Sequence, residues 1–249
     1  MSHDPMSSFE VHKILPISIC GLDVSITNSS IFMMLVVGIA CVVLWFGTSN
    51  KELVPTRLQV VVEKLFFFVG NVVKVNVGTR GDVVFPYAVT LFLFLAIGNM
   101  IGLLPYAFSF TSQIIVTIGI AMAVFVTSIV VGIRMQGTQY IRHFCPAGIP
   151  GYLTPFFVVI ELMSFLFRPI SLGVRLFANM VAGHIMIKVI AGFAVSAAGV
   201  TILTPLAIMP ITFDILLDIF KLAVCGLQAY VFVVLSCMYI AESLGTASH

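Results

Sequence analysis

Residues 154–198 read TPFFVVIELMSFLFRPISLGVRLFANMVAGHIMIKVIAGFAVSAA, an apolar sequence that Glu161, Arg168, Arg175, His184 and Lys188 interrupt at intervals of nine residues or fewer. No ordinary charge-free span of about 20 residues fits there. As one continuous helix the stretch is roughly 65 to 70 Å long, more than twice a hydrocarbon core of about 30 Å, so it is expected to be broken or steeply tilted. Pro169, Gly173 and Gly183 permit bends. A second stretch, 203–242, carries Asp214, Asp218 and Lys221 and reaches about 60 Å at the same rise per residue. The turn from Thr201 to Pro205 between the two predicts an antiparallel helical hairpin. Within the hairpin Arg175 stands out, because no other residue from Ile170 to Gly183 is charged. A guanidinium cannot shed its proton, and placing it inside a membrane costs several kcal/mol, so a fixed positive charge there points to ion or proton movement.

The rest of the chain is also membrane-like. Of its 249 residues 60% are hydrophobic and 9% charged, too little polar surface for a soluble globule of this size. The net charge of +2 is scattered, and the absence of a basic block excludes nucleic acid as a partner. Cys20, Cys41, Cys145, Cys225 and Cys237 show no CxxC spacing and mostly lie in apolar runs, so they are expected to be buried thiols, with neither a disulfide nor a metal implied. The N-terminal MSHDPMSSFEVHK mixes acids with bases well before the first apolar stretch, which does not read as a cleaved signal peptide; the mature chain is expected to begin near Met1.

Residues 31–46 form a first span that Ser and Asn flanks extend. Residues 56–77 mix Arg57, Glu63, Lys64 and Lys74 with Val, Leu and Phe, which predicts an amphipathic helix at the membrane surface or on a partner. The run Phe66 to Phe68 within it reads as packing or lipid contact. From Val83 to Ile133 no residue is charged, and PYAFSFTSQ (Pro105 to Gln113) divides that stretch into spans at about 85–104 and 114–133. A Gly- and Pro-rich loop, GTQYIRHFCPAGIPGYLTP, follows and ends near Pro155. Lys and Arg number one in segment 1–30, five in 47–84, none in 105–113 and two in 134–151, an alternation that places the N-terminus outside and the loops after the first and third spans inside. The expected fold is therefore an all-α integral membrane protein of about five membrane helices plus an amphipathic surface helix, the last two membrane helices long and steeply tilted as a hairpin. It is expected to be a single membrane domain over 1–249: an external segment 1–30, peripheral spans and the surface helix in 31–151, and the hairpin in 152–249.

Helical geometry sorts the charges into faces. Positions seven apart drift by only about 20°, so Glu161, Arg168 and Arg175 share one face, with Asn179 a turn further on. His184 lies about 180° from Arg175, with Lys188 near it, and two polar faces on one helix suggest two routes. Asp214, Asp218, Lys221, Cys225 and Gln228 form a stripe on the second helix. Each residue also has a purely structural reading. Glu161 and Arg168 read as a loose ion pair, or Arg168 as a side chain reaching for the cytoplasmic interface. Arg175 reads as a salt bridge to Asp214 or Asp218, and His184 as a hydrogen-bonded interior histidine. Asn179 and Gln228 read as interhelical hydrogen-bond partners, and Asp218 with Lys221 as a neutralised i,i+3 pair.

The runs PISLGVRLFANMVAGH (Pro169 to His184) and LQAYVF (Leu227 to Phe232) resemble subunit a of the F-type ATP synthase, called subunit 6 in mitochondria. The resemblance extends to FLFLAIGNMIGLLPY (Phe92 to Tyr106) and PAGIP (Pro146 to Pro150), covers nearly the whole chain, and is of the alphaproteobacterial and mitochondrial style. It implies a proton-translocating stator protein in a bacterial inner membrane, or alternatively a mitochondrial one. The hairpin lies against a ring of c subunits, each bearing a carboxylate. Further implied partners are peripheral-stalk b-type subunits, the bilayer and, indirectly, the F1 sector; no cofactor is implied. Arg175 matches the essential arginine that separates two offset half-channels. Glu161 matches the glutamate of the cytoplasmic or matrix exit route, and His184 a position of the entry route from the other side. Asn179 and Gln228 match polar residues that accompany the arginine. Lys221 departs from the pattern, since an acid or histidine is expected seven residues before the glutamine. By helical spacing Asp218, held ionised by Lys221, or else Asp214, is expected to take over that relay.

The chain is not expected to act on ATP itself, because no G-x-x-x-x-G-K-[ST] phosphate loop occurs. A secondary transporter would show paired interrupted helices in two similar halves, and a haem- or quinone-binding subunit would show paired histidines within spans; neither pattern is present.

Overall fold

The computed structural model describes residues 13–15, 18–19, 22–23, 25–49, 55–78, 81–104, 107–137, 154–198 and 208–244. Among the described residues six α-helices dominate: α1 (Asn28–Ser49), α2 (Arg57–Val77), α3 (Gly81–Gly102), α4 (Ile114–Gln136), α5 (Thr154–Ala198) and α6 (Ile208–Leu244). All but α2 are long and apolar enough to cross a membrane. Only helices satisfy every backbone group internally, which is what a hydrocarbon environment demands. The hydroxyls in these segments follow the same rule: Thr127 donates to Ala123 O at 2.7 Å, Ser128 to Phe125 O at 2.8 Å and Ser236 to Phe232 O at 2.7 Å.

The chain forms two compact units. The first comprises Met1–Val42, Leu93–Gln113 and Leu176–Ala229. Its N-terminal part holds two small nested antiparallel pairs, β1 (Lys13–Leu15) with β4 (Ile26–Thr27) and β2 (Ser18–Ile19) with β3 (Leu22–Asp23). The sequence reading gave this segment no structure, because strands of two or three residues are too short to show an alternating pattern. A buried 3₁₀ turn, Phe110–Ser112, precedes α4. Phe110 packs on Phe94 with ring centroids 5.3 Å apart. Gly98 makes that possible, since a Cβ there would lie 2.5 Å from the Phe110 ring.

The second unit comprises Val43–Phe92, Ile114–Arg175 and Tyr230–His249. Here α2 starts at the N-cap Thr56, whose hydroxyl accepts from Gln59 N at 3.5 Å. It ends at Gly78, whose φ of 71° suits glycine and whose N–H bonds to Lys74 O. Val62, Val69, Val72, Val73 and Val77 form its buried face. Phe66 packs on Phe85 and Phe68 on Phe92 and Tyr230, whereas Phe67 is exposed, so the phenylalanine run divides between packing and the outer surface. Gly173 on α5 meets the α4 backbone so closely that a Cβ would sit 2.9 Å from Ile118 Cα. Backbone cannot yield as a flexible side chain does. Gly173→Ala is therefore expected to cost about 1–3 kcal/mol and to lower the temperature at which detergent-solubilised complex loses this subunit.

α5 runs 45 residues without a break, with Pro169 inside it. Of the two options left open by length, broken or tilted, the structure removes the first. Its apolar window alone, 35 residues, spans about 50 Å, which fits a core of about 30 Å only when steeply inclined. α6 is 37 residues long and begins at Ile208; residues 199–207, where the turn was expected, lie outside the described residues. The helices run antiparallel. In the first unit Met180 meets Cys225 and Gly183 meets Lys221; in the second, Arg168 meets Glu242. Most of the loop 137–155 lies outside the described residues, as do Cys20 and Cys145. Cys225 and Cys237 are buried free thiols, but Cys41 is exposed on α1, a helix with few buried residues.

Candidate functional site

In the first unit the α6 stripe faces α5 through its buried members. Lys221, 8% exposed, Cys225 and Gln228 lie inward, Asp214 is half-buried and Asp218 is exposed. Lys221 crosses Gly183 so tightly that a Cβ at 183 would lie 2.6 Å from Lys221 Cε. A side chain at 183 would oblige the end of the flexible lysine to move aside. One residue on, half-buried His184 is within electrostatic reach of Lys221 and Lys188. Asp218 acts in turn on Lys221 and on Asp214, whose Oδ1 is buried without a hydrogen-bond partner. His184, Lys188, Asp214, Asp218 and Lys221 are thus linked by electrostatic reach along α5 and α6, with Lys221 the buried member. Gln228 Nε2 is also buried without a partner. Cys225 Sγ lies 3.8 Å from Met180 Sδ and continues the buried seam.

Asn99 on α3 was not singled out from sequence. It is fully buried, and both its amide oxygen and nitrogen lack a hydrogen-bond partner. Burying such a group without compensation costs about 1–3 kcal/mol, so it marks a polar spot in an otherwise apolar span. The signal that could have found it is its place as the sole amide in the charge-free stretch from Val83 to Tyr106.

In the second unit Arg168 is the hub of an ionic cluster. Its Nη1 donates to Glu242 Oε2, and its Nη2 lies 4.0 Å from Glu161 Oε1. The guanidinium sits 5.6 Å from the Tyr239 ring centroid and 6.0 Å from that of Phe165. The loose Glu161–Arg168 pair read from the sequence is present, but the principal partner of Arg168 is Glu242, which that reading missed. Its signal was an acid in the last turn of an apolar helix, where the helix dipole disfavours negative charge. Gln136 Nε2 on α4 caps the same turn, donating to Ser243 O at 2.9 Å.

Arg175 makes no ion pair among the described residues, so the structural reading of it as a salt bridge to Asp214 or Asp218 is not realised. It is exposed, and exposed apolar side chains flank it on α5: Val174, Ile170, Phe167 and Met163. Only 17% of the α5 apolar window is buried, against 44% for α6. A full positive charge therefore stands on an uncovered apolar face.

Long apolar helices carrying internal ionisable clusters define a multi-pass helical membrane protein. The sequence pattern of the ATP synthase A chain family matches residues 30–241. A protein of Rhodospirillum rubrum named ATP synthase subunit a is 42% identical over 97% of this chain and 98% of its own. Subunits a from Rhizobium leguminosarum bv. trifolii, 44% identical over the full length of both chains, and Chelativorans sp., 44% identical over 98% of each, are similar too. The chain belongs to the ATP synthase A chain family, as the resemblance of its motifs to subunit a of alphaproteobacterial type led one to expect.

Proposed function

We propose that this subunit is the proton-translocating stator of a rotary ATP synthase in an alphaproteobacterial inner membrane. It forms two offset half-channels against a ring of c subunits and does no chemistry on ATP itself. The observation that carries the reading is Arg175, an exposed cation on the uncovered apolar face of α5. Lipid offers such a charge nothing, whereas a partner helix with a carboxylate offers a counter-ion. Coulomb attraction between unit charges about 4 Å apart is about 4 kcal/mol at an effective dielectric near 20, enough to draw the arriving carboxylate into its ionised form. A ring carboxylate would thus give up its proton on approach, and a proton could not pass the guanidinium from one half-channel to the other.

Two separate groups of charged residues support two routes. Glu161, with Arg168 beside it, is assigned to the cytoplasmic exit. His184, with Asp214, Asp218 and Lys221, is assigned to the entry, and Asn179 and Gln228 are assigned as the polar residues that accompany Arg175. Peripheral-stalk b-type subunits and the F1 sector complete the proposed assembly. ATP-driven acidification of vesicles holding the assembled complex tests the reading: wild type acidifies, and Arg175→Ala does not.

A further inference from the structure

Glu242 occupies a position that helix energetics disfavours, because a carboxylate in the last turn of α6 opposes the helix dipole by about 0.3–1 kcal/mol. It cannot cap that turn, since a carboxylate has no proton to donate to a carbonyl; Gln136 supplies the donor to the terminal carbonyls instead. What Glu242 does is hold Arg168 by a direct charge-assisted hydrogen bond. Arg168 also has Glu161 within reach, seven residues earlier on its own helix, yet that pair stands at 4.0 Å, the outer limit of an ion pair. The Phe165 and Tyr239 rings flank the guanidinium, with centroids 6.0 and 5.6 Å from its central carbon. Glu161 is left 39% exposed at its side chain and makes no hydrogen bond to the guanidinium.

We propose that Glu242 is a positioning residue that draws Arg168 away from Glu161 and so keeps the Glu161 carboxylate free to take up and release protons. This rests on the assignment of Glu161 to the exit route. Without Glu242 the guanidinium has one acid left, closes on Glu161 as a bidentate pair and blocks the carboxylate. With neither Glu242 nor Arg168, Glu161 is free again.

The test is ATP-driven proton pumping in vesicles with matched amounts of assembled complex. Glu242→Gln is expected to pump about tenfold less, the scale on which a charge-assisted hydrogen bond withdraws a group. Glu242→Asp, which keeps the charge, recovers most of that loss. The double variant Glu242→Gln/Arg168→Gln also recovers most of it, a result that a merely structural ion pair would not give, since removing both partners would then leave pumping as low or lower. Undiminished pumping by Glu242→Gln, or a double variant no better than the single one, overturns the proposal. Glu161→Gln in the same vesicles separates the two levels: if it pumps normally, the exit-route assignment itself fails and the proposal falls with it.

Discussion

Vesicles carrying the complex with Arg175→Ala are expected to show ATP-driven acidification reduced by about three orders of magnitude, to background, with the complex still assembled. The size follows from the roughly 4 kcal/mol of attraction lost between guanidinium and ring carboxylate, at about 1.4 kcal/mol per factor of ten. Assembly survives because Arg175 makes no ion pair among the described residues and packs no core; Leu172, Leu176 and Met180 on the neighbouring face do that. Arg175→Lys keeps the charge but loses the planar fork of donors, so partial activity at most is expected. Measured against an equal amount of assembled complex, a variant that pumps normally would leave the arginine with a structural role.

Asp218→Asn is expected to abolish proton flux, while Lys221→Ala only weakens it. Asp218 is the exposed acid of the α6 stripe, and buried Lys221 lies within its electrostatic reach. On the proposed entry route the Asp218 variant removes the relaying carboxylate, whereas the Lys221 variant leaves that carboxylate in place. Alanine at 221 also leaves unfilled the space that Gly183 opens for the lysine stem, so a modest loss of assembled complex, about 1–2 kcal/mol in stability, accompanies it. Passive proton uptake driven by an imposed potential reads both variants. Equal and near-normal uptake in the two would remove Asp218 from the route and return attention to Asp214.

Most of the architecture was legible because the deciding signals are local. The limits of α5 at 154 and 198 follow from an apolar run whose only interior proline is Pro169, and the helix tolerates it without ending. The limits of α2 follow from Thr56 as N-cap and Gly78 as terminator. The charge-free stretch from Val83 to Ile133 could only be two spans once Pro105 to Gln113 broke it. The arrangement of charges was less legible, since pairing across a hairpin depends on register. Glu161 and Arg168 sit seven apart on one helix, and their loose pairing could be foreseen. Glu242 lies 74 residues from Arg168, and no spacing rule connects them. The tight crossing of Lys221 over Gly183 likewise needs the interhelical distance, which the sequence does not carry. Asn99 escaped because one amide in a charge-free span carries no periodicity, and its burial becomes visible only when α3 is packed.

The claim that Arg175 faces a ring carboxylate is tested most directly by cross-linking. Ser171 lies one turn before Arg175 on the same uncovered surface of α5. Ser171→Cys should form a disulfide under mild oxidation with a cysteine placed one turn from the c-subunit carboxylate, and the link should stop ATP-driven pumping until a reductant restores it. Absence of that cross-link in the assembled complex, with pumping unaffected by oxidation, would contradict the placement of Arg175 at the ring.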